Sequence, residues 1–236
     1  MSNRGSTPLL IFPCNGNGIE ALDCLGHAWH CVGFVDDTPQ KQATGAFGYP
    51  VFPRTVLTEF TDARVLAVPG GPTSYLMRQQ LIDSLGISPG RFARVIHPAA
   101  NISDRAELGD NVLVMAGVVI TSNAIIGSHV CLLPNTVVHH DSVVRDWSLI
   151  GSGVTVAGGV AIGENCYIGS GSSIMHGIRI GDGALVSIGS NVIRDVAPDS
   201  CVGGNPAHFL FPLNYNSNYP PGGMSSKWTS AGREFW

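Results

Sequence analysis

Two adjacent histidines and an aspartate, His139, His140 and Asp141, interrupt the strand-like stretch "VVHHDSVV" at residues 137–144. An accessible imidazole titrates near neutral pH and can take a proton from an attacking amine or hydroxyl. A carboxylate beside it can hold the second ring nitrogen, select the tautomer and stabilise the imidazolium. Residue types alone leave a plainer alternative open, a pair of solvated histidines at a turn.

A second group of polar residues sits in three loops, "PCNGNG", "VDDT" and "VPGGP". Each follows a short apolar run ("LLIF", "CVGFVDD", "RVLAVPG"), and helix-like segments "GIEALDCLG" and "TSYLMRQQLIDSLG" separate or follow those runs. Strands alternating with helices over residues 8–96 predict a small parallel sheet covered by helices. Ligands of such sheets bind beyond the carboxyl ends of the strands. The residues there are Asn15, Gly16 and Asn17, then Asp36 and Asp37, then Gly70. A carboxylate at the second strand end commonly meets a ribose or base, and Gly70 could admit a ligand close to backbone. A plain strand-to-helix turn is the alternative for the first loop, and a turn with an Asx cap for the acidic pair.

From Ile96 onward the pattern changes. Every sixth residue from Ile96 to Val192 is aliphatic, seventeen positions without a slip. Four residues after each sits a small or branched residue, including Ala106, Val112, Ala124, Ser142, Val154, Cys166 and Ala184. A period of six is that of a short strand plus a corner, the hexad of a parallel β-helix. Three hexads make one triangular coil, and coils stack at about 4.8 Å. Residues eighteen apart therefore stand one above the other. Gly158 lies one coil from His140, where its N–H could meet a developing oxyanion, or where a tight corner could simply need glycine. His140 and His176 lie two coils apart, about 9.6 Å, too far to share a zinc ion within one chain.

Composition narrows the function. The chain is 44% hydrophobic and 13% charged, with thirty glycines and a net charge of −4. Its lysines are Lys41 and Lys227, so no basic groove for nucleic acid is expected. The run "VLVMAGVVI" is too short to span a membrane, and no secretory leader is expected. Six cysteines without a CxxC pair suggest free, packed thiols and a reducing cytoplasm.

Hexads such as "IGENCY" and "IGSGSS" resemble those of the left-handed β-helix acyltransferases. With "FVDD", the "VIHPAA" junction and the closing "GGNPA", residues 8–208 resemble the bacterial hexapeptide-repeat sugar O-/N-acyltransferases. The resemblance implies a small Rossmann-like α/β domain (1–95) that holds a nucleotide sugar. A left-handed parallel β-helix (96–208) and a C-terminal extension (209–236) follow. It implies a homotrimer with acetyl-CoA as cosubstrate, no metal and no membrane insertion.

"HDSV" matches the family's His-acid-x-Val context, which implies His140 as general base with Asp141 as its partner, and Gly158 at the oxyanion. His139 receives no role. The family's coenzyme contacts fall on Leu149, Gly158, Ser170 and Ile188, and its nucleotide-sugar contacts on Asn15, Gly16, Asn17, Asp36, Asp37 and Gly70. The glycine-rich turn departs from the family's "GxxGHG": Pro13 replaces its first glycine and Asn17 its histidine. The expected activity is N-acetylation of a nucleotide-linked amino sugar for surface polysaccharide. A sugar O-acetyltransferase and a non-catalytic β-helical binding protein are the alternatives. A sugar nucleotidyltransferase would require a larger, more basic N-terminal domain.

Overall fold

In the computed structural model, which describes residues 5–213, the apolar runs of the first half become parallel strands. β1 (Thr7–Phe12), β2 (Trp29–Val35), a two-residue β3 (Val51–Phe52) and β4 (Arg64–Ala67) pair in the order β3-β2-β1-β4. Leu9, Leu10 and Ile11 are consecutive and fully buried, as a parallel sheet covered on both faces requires. Four short helices connect and follow these strands: α1 (Gly16–Glu20), α2 (Pro39–Thr44), α3 (Val56–Glu59) and α4 (Arg78–Asp83).

The hexads form a left-handed parallel β-helix. Seventeen two-residue strands run from β5 (Val95–Ile96) to β21 (Asn191–Val192). Each pairs with strands eighteen residues away, as Val137 does with Val119 and Thr155. The strands sort into three faces: the first carries Cys131 and Leu149, the second Val137 and Thr155, and the third Val143 and Ala161. Val138, Val144, Ile150, Val156, Ile162 and Ile168 fill the interior without exposed surface.

The first coil departs from the expected burial. Ile96 holds the inward register opposite Val114, yet it is 40% exposed, because no coil lies beneath it. At the other end β22 (Ser200–Gly204) joins the first face, and β23 (Ala207–Pro212) pairs antiparallel with it. The expected boundary at 208/209 thus falls inside a strand, and residues up to 212 belong with that face. The rest of the C-terminal extension, from residue 214 on, lies outside the described residues.

The N-terminal domain covers the first face. Outward-pointing Leu113, Cys131 and Leu149 are buried in one cluster with Leu9, Ile11, Leu66 and Val68. A clasp seals the neighbouring edge, between the third and first faces. Arg78, fully buried at the start of α4, donates from Nε to Trp147 O (2.9 Å), from Nη2 to His129 O (2.6 Å), and from Nη1 to Pro69 O. His129 and Trp147 occupy the left-handed region (φ 61° and 68°), unusual for large side chains, and their rings stack 3.8 Å apart. Asn111 accepts from Ala67 N and donates to Ala67 O, both at 2.8 Å, tying β4 to the same edge.

Candidate functional site

His140 stands on the edge between the second and third faces. That edge lies opposite the face its own N-terminal domain covers. The corner there runs 139–142, and its third residue, Asp141, has φ 59°. Asp tolerates this conformation, which returns its carboxylate toward the preceding side chain. Asp141 Oδ2 accepts from His140 Nδ1 at 2.7 Å, and both side chains are more than half exposed. One coil below, Asn123 Nδ2 donates to Asp141 Oδ1 at 3.0 Å.

These bonds fix the tautomer. The hydrogen bond from His140, and then that from Asn123, holds the Asp141 carboxyl below the usual carboxylate range. An ionised carboxylate only accepts, so Nδ1 carries the proton and Nε2 keeps a free lone pair. That nitrogen lies over Gly158. A Cβ built there would come 2.5 Å from Nε2 and 2.6 Å from Cε1 of His140. Backbone conformation does not demand glycine at 158, because its φ is outside the left-handed region. The equivalent corner residues one coil either side, His140 and His176, carry side chains. Space for the imidazole is the reason. Among the described residues nothing accepts from the Gly158 N–H, while Gly159 N donates to His140 O at 2.9 Å and locks the two coils in register. Asn123 escapes the sequence reading, although its eighteen-residue offset from Asp141 is there to count.

The other expected positions scatter. Ser170 and Ile188 are exposed, Ile188 at 53%. Leu149 is a correction: it is 2% exposed, enclosed between the two domains, and offers a coenzyme no side-chain surface. His139 is half-buried beside His140 on the side of the second face.

The nucleotide-sugar positions do gather at the carboxyl ends of β1, β2 and β4, but most of their side chains are already engaged. Asn15 caps α1 by accepting from Gly18 N at 3.0 Å. Asn17 Nδ2 donates to Gly70 O at 3.2 Å and links two of the loops. Asp36 accepts from Thr38 N at 3.0 Å and from Lys41 Nζ at 2.7 Å. Asp37 accepts from Arg54 N and Nε at 2.9 and 2.5 Å. Beside Gly70 (φ +109°) the room expected for a ligand is taken by Arg78, whose Cγ would be 2.8 Å from a Cβ. Lys41, which also donates to Cys14 O at 2.7 Å, escapes the sequence reading too, and its rarity is the available signal.

A cavity of about 350 Å³ opens beside the clasp, lined by Ile82, Phe92, Asp110, His129, Asp146 and Trp147 among others. It belongs to a different edge from His140. The cysteines are free, and burial pushes the Cys24 and Cys166 thiols up to about 11 and 12, so they pack rather than react. No described helix is long and apolar enough to cross a membrane.

Comparison with known proteins decides the class. Residues 105–140 match the model for the bacterial transferase hexapeptide (six repeats), and 159–193 that for the hexapeptide repeat of succinyl-transferase. The acetyltransferase domain of PglB from Neisseria gonorrhoeae, solved with acetyl coenzyme A, is 25% identical with a TM-score of 0.77. The match covers 87% of this chain and 100% of that one. A variant of perosamine N-acetyltransferase from Caulobacter crescentus, solved with CoA and GDP-perosamine, is 27% identical with a TM-score of 0.75, covering 87% and 97%. The chain carries the hexapeptide repeat and is similar in fold and sequence to acyl-CoA-dependent sugar acyltransferases. These are enzymes that move an acyl group from coenzyme A to a sugar. PerB from the same Caulobacter species, 28% identical over 87% of this chain and 98% of its own, has a TM-score of 0.73. No curated protein matches the sequence closely enough to add to this.

Proposed function

We propose that this acyltransferase uses acetyl-CoA to N-acetylate a nucleotide-linked amino sugar destined for surface polysaccharide, in the cytoplasm. The observation that carries the proposal is the His140–Asp141 pair, with its basic nitrogen held over a side-chain-free Gly158 on an uncovered edge. As the amine attacks the thioester carbonyl, His140 Nε2 takes its proton and Asp141 stabilises the imidazolium. The Gly158 N–H is available to the tetrahedral oxyanion. Collapse of that intermediate expels the coenzyme thiolate.

The same geometry supports a homotrimer. The sugar-nucleotide crevice belongs to the domain that covers the first face, whereas His140 of the same chain stands on the edge between the other two faces, so a substrate in that crevice lies away from the base. A neighbouring chain supplying the crevice removes the difficulty. Ile125, Met175 and Ile193 on or beside the two uncovered faces are 43%, 49% and 41% exposed, the kind of apolar surface a subunit contact would bury. Lys41, beside Asp36 at the crevice, is the cation at hand for a diphosphate.

The deciding assay offers acetyl-CoA with UDP-, GDP- and dTDP-linked amino sugars and follows release of free thiol. Turnover with an amino sugar but not with its hydroxyl counterpart is expected. Turnover of hydroxyl sugars alone would replace the amine by the O-acetyl reading.

Gly158→Ala tests the contact directly. The added methyl meets an imidazole that is largely exposed and can swing outward, so thermal stability should hardly change. Turnover should fall by about 10²-fold, because the base leaves its position. An unchanged rate would mean that the ring need not sit where it does.

A further inference from the structure

We propose that His176 is a second imidazole of the acyl site, donating a ring N–H to the coenzyme's pantetheine arm just beyond the thioester. The inference rests on the reading above, that acetyl-CoA lies along this edge. His140, Gly158 and His176 follow one another at intervals of eighteen residues. Gly159 N donates to His140 O at 2.9 Å and Gly177 N to Gly158 O at 3.1 Å, which stacks the three corners. The two imidazoles lean onto the same rung from opposite sides. His140 covers Gly158, and His176 Cε1 lies 3.7 Å from where a Cβ on Gly159 would stand.

The result is a strip one coil wide, free of side chains and walled at each end by a ring. A carbonyl seated against His140 and Gly158 leaves its sulfur and arm to continue along the edge. Below His140 the way is filled by the Asn123–Asp141 hydrogen bond. The arm must therefore pass His176. Its amides need partners once they leave water, and His176 is exposed and makes no hydrogen bond among the described residues. Arg194, eighteen residues further on, continues the edge with an exposed cation toward the coenzyme's phosphate end.

Calorimetry with acetyl-CoA, alongside steady-state kinetics, tests the assignment on the wild type, His176→Ala and His176→Gln. Alanine should weaken acetyl-CoA binding about tenfold, the worth of one hydrogen bond, and raise its KM to match. The KM for the sugar nucleotide should stay put, and glutamine, which keeps an N–H donor, should restore most of the loss. If the wild type binds acetyl-CoA and His176→Ala binds it equally well, His176 has no part in the site and only this inference falls. If the wild type binds no acetyl-CoA, the coenzyme reading of the edge fails and carries this inference with it.

Discussion

His140→Ala is expected to lower turnover by about 10²–10⁴, the share a general base commonly carries. Affinity for acetyl-CoA should stay nearly unchanged. The side chain is 59% exposed, so little loss of stability is expected, and the thermal midpoint serves as the control. Asp141→Asn should cost less. Its amide oxygen can still accept from Nδ1, although the carboxylate's charge no longer steadies the imidazolium. Full activity in His140→Ala would leave the fold and the enzyme class intact and remove His140 as the base.

The base and its setting are largely legible without coordinates. A period that never slips fixes which residues point inward, and arithmetic in steps of eighteen then brings Gly158 beside His140. The family resemblance misplaces Leu149, because a matched position does not tell which face another domain will cover. The arithmetic gives Ile96 a full burial that the end of a stack cannot provide. In the first domain, β3, α2 and α3 go unseen because they are a few residues each and are held by their neighbours, as Val51 is against Phe34. Arg78 leaves no trace at all, since a side chain that binds backbone carbonyls requires no partner residue type.

Arg78→Ala should be the most destabilising single change in the molecule's interdomain region. It leaves the carbonyls of Pro69, His129 and Trp147 without their donor and opens a void beside Gly70. Each buried unpaired carbonyl costs about 1–3 kcal/mol and the void adds to it, so a loss on the order of 3–5 kcal/mol is expected in denaturant unfolding. A change below about 1 kcal/mol would show that the two domains hold together without the clasp.

The clasp should also be acid-sensitive. Asn111 Nδ2 stands 3.0 Å from His129 Nδ1, and its amide orientation is set by Ala67, so that ring nitrogen must accept. Burial pushes the His129 imidazole down to about 4. The unfolded ring has a pKa of about 6.5, so the unfolded chain binds the extra proton first. Stability is therefore complete above that value and is lost as pH falls toward 4. Thermal midpoints measured down this range should drop for the wild type and drop less for His129→Gln. Parallel curves would assign the acid sensitivity elsewhere.

The ladder of coils separates length from phase. Gaining or losing one whole turn well below Asn123 would make the prism taller or shorter and leave every neighbour of the imidazole in place. Losing a single hexad between His140 and Gly158 would carry the glycine round to another side, and no adjustment of side chains could bring it back.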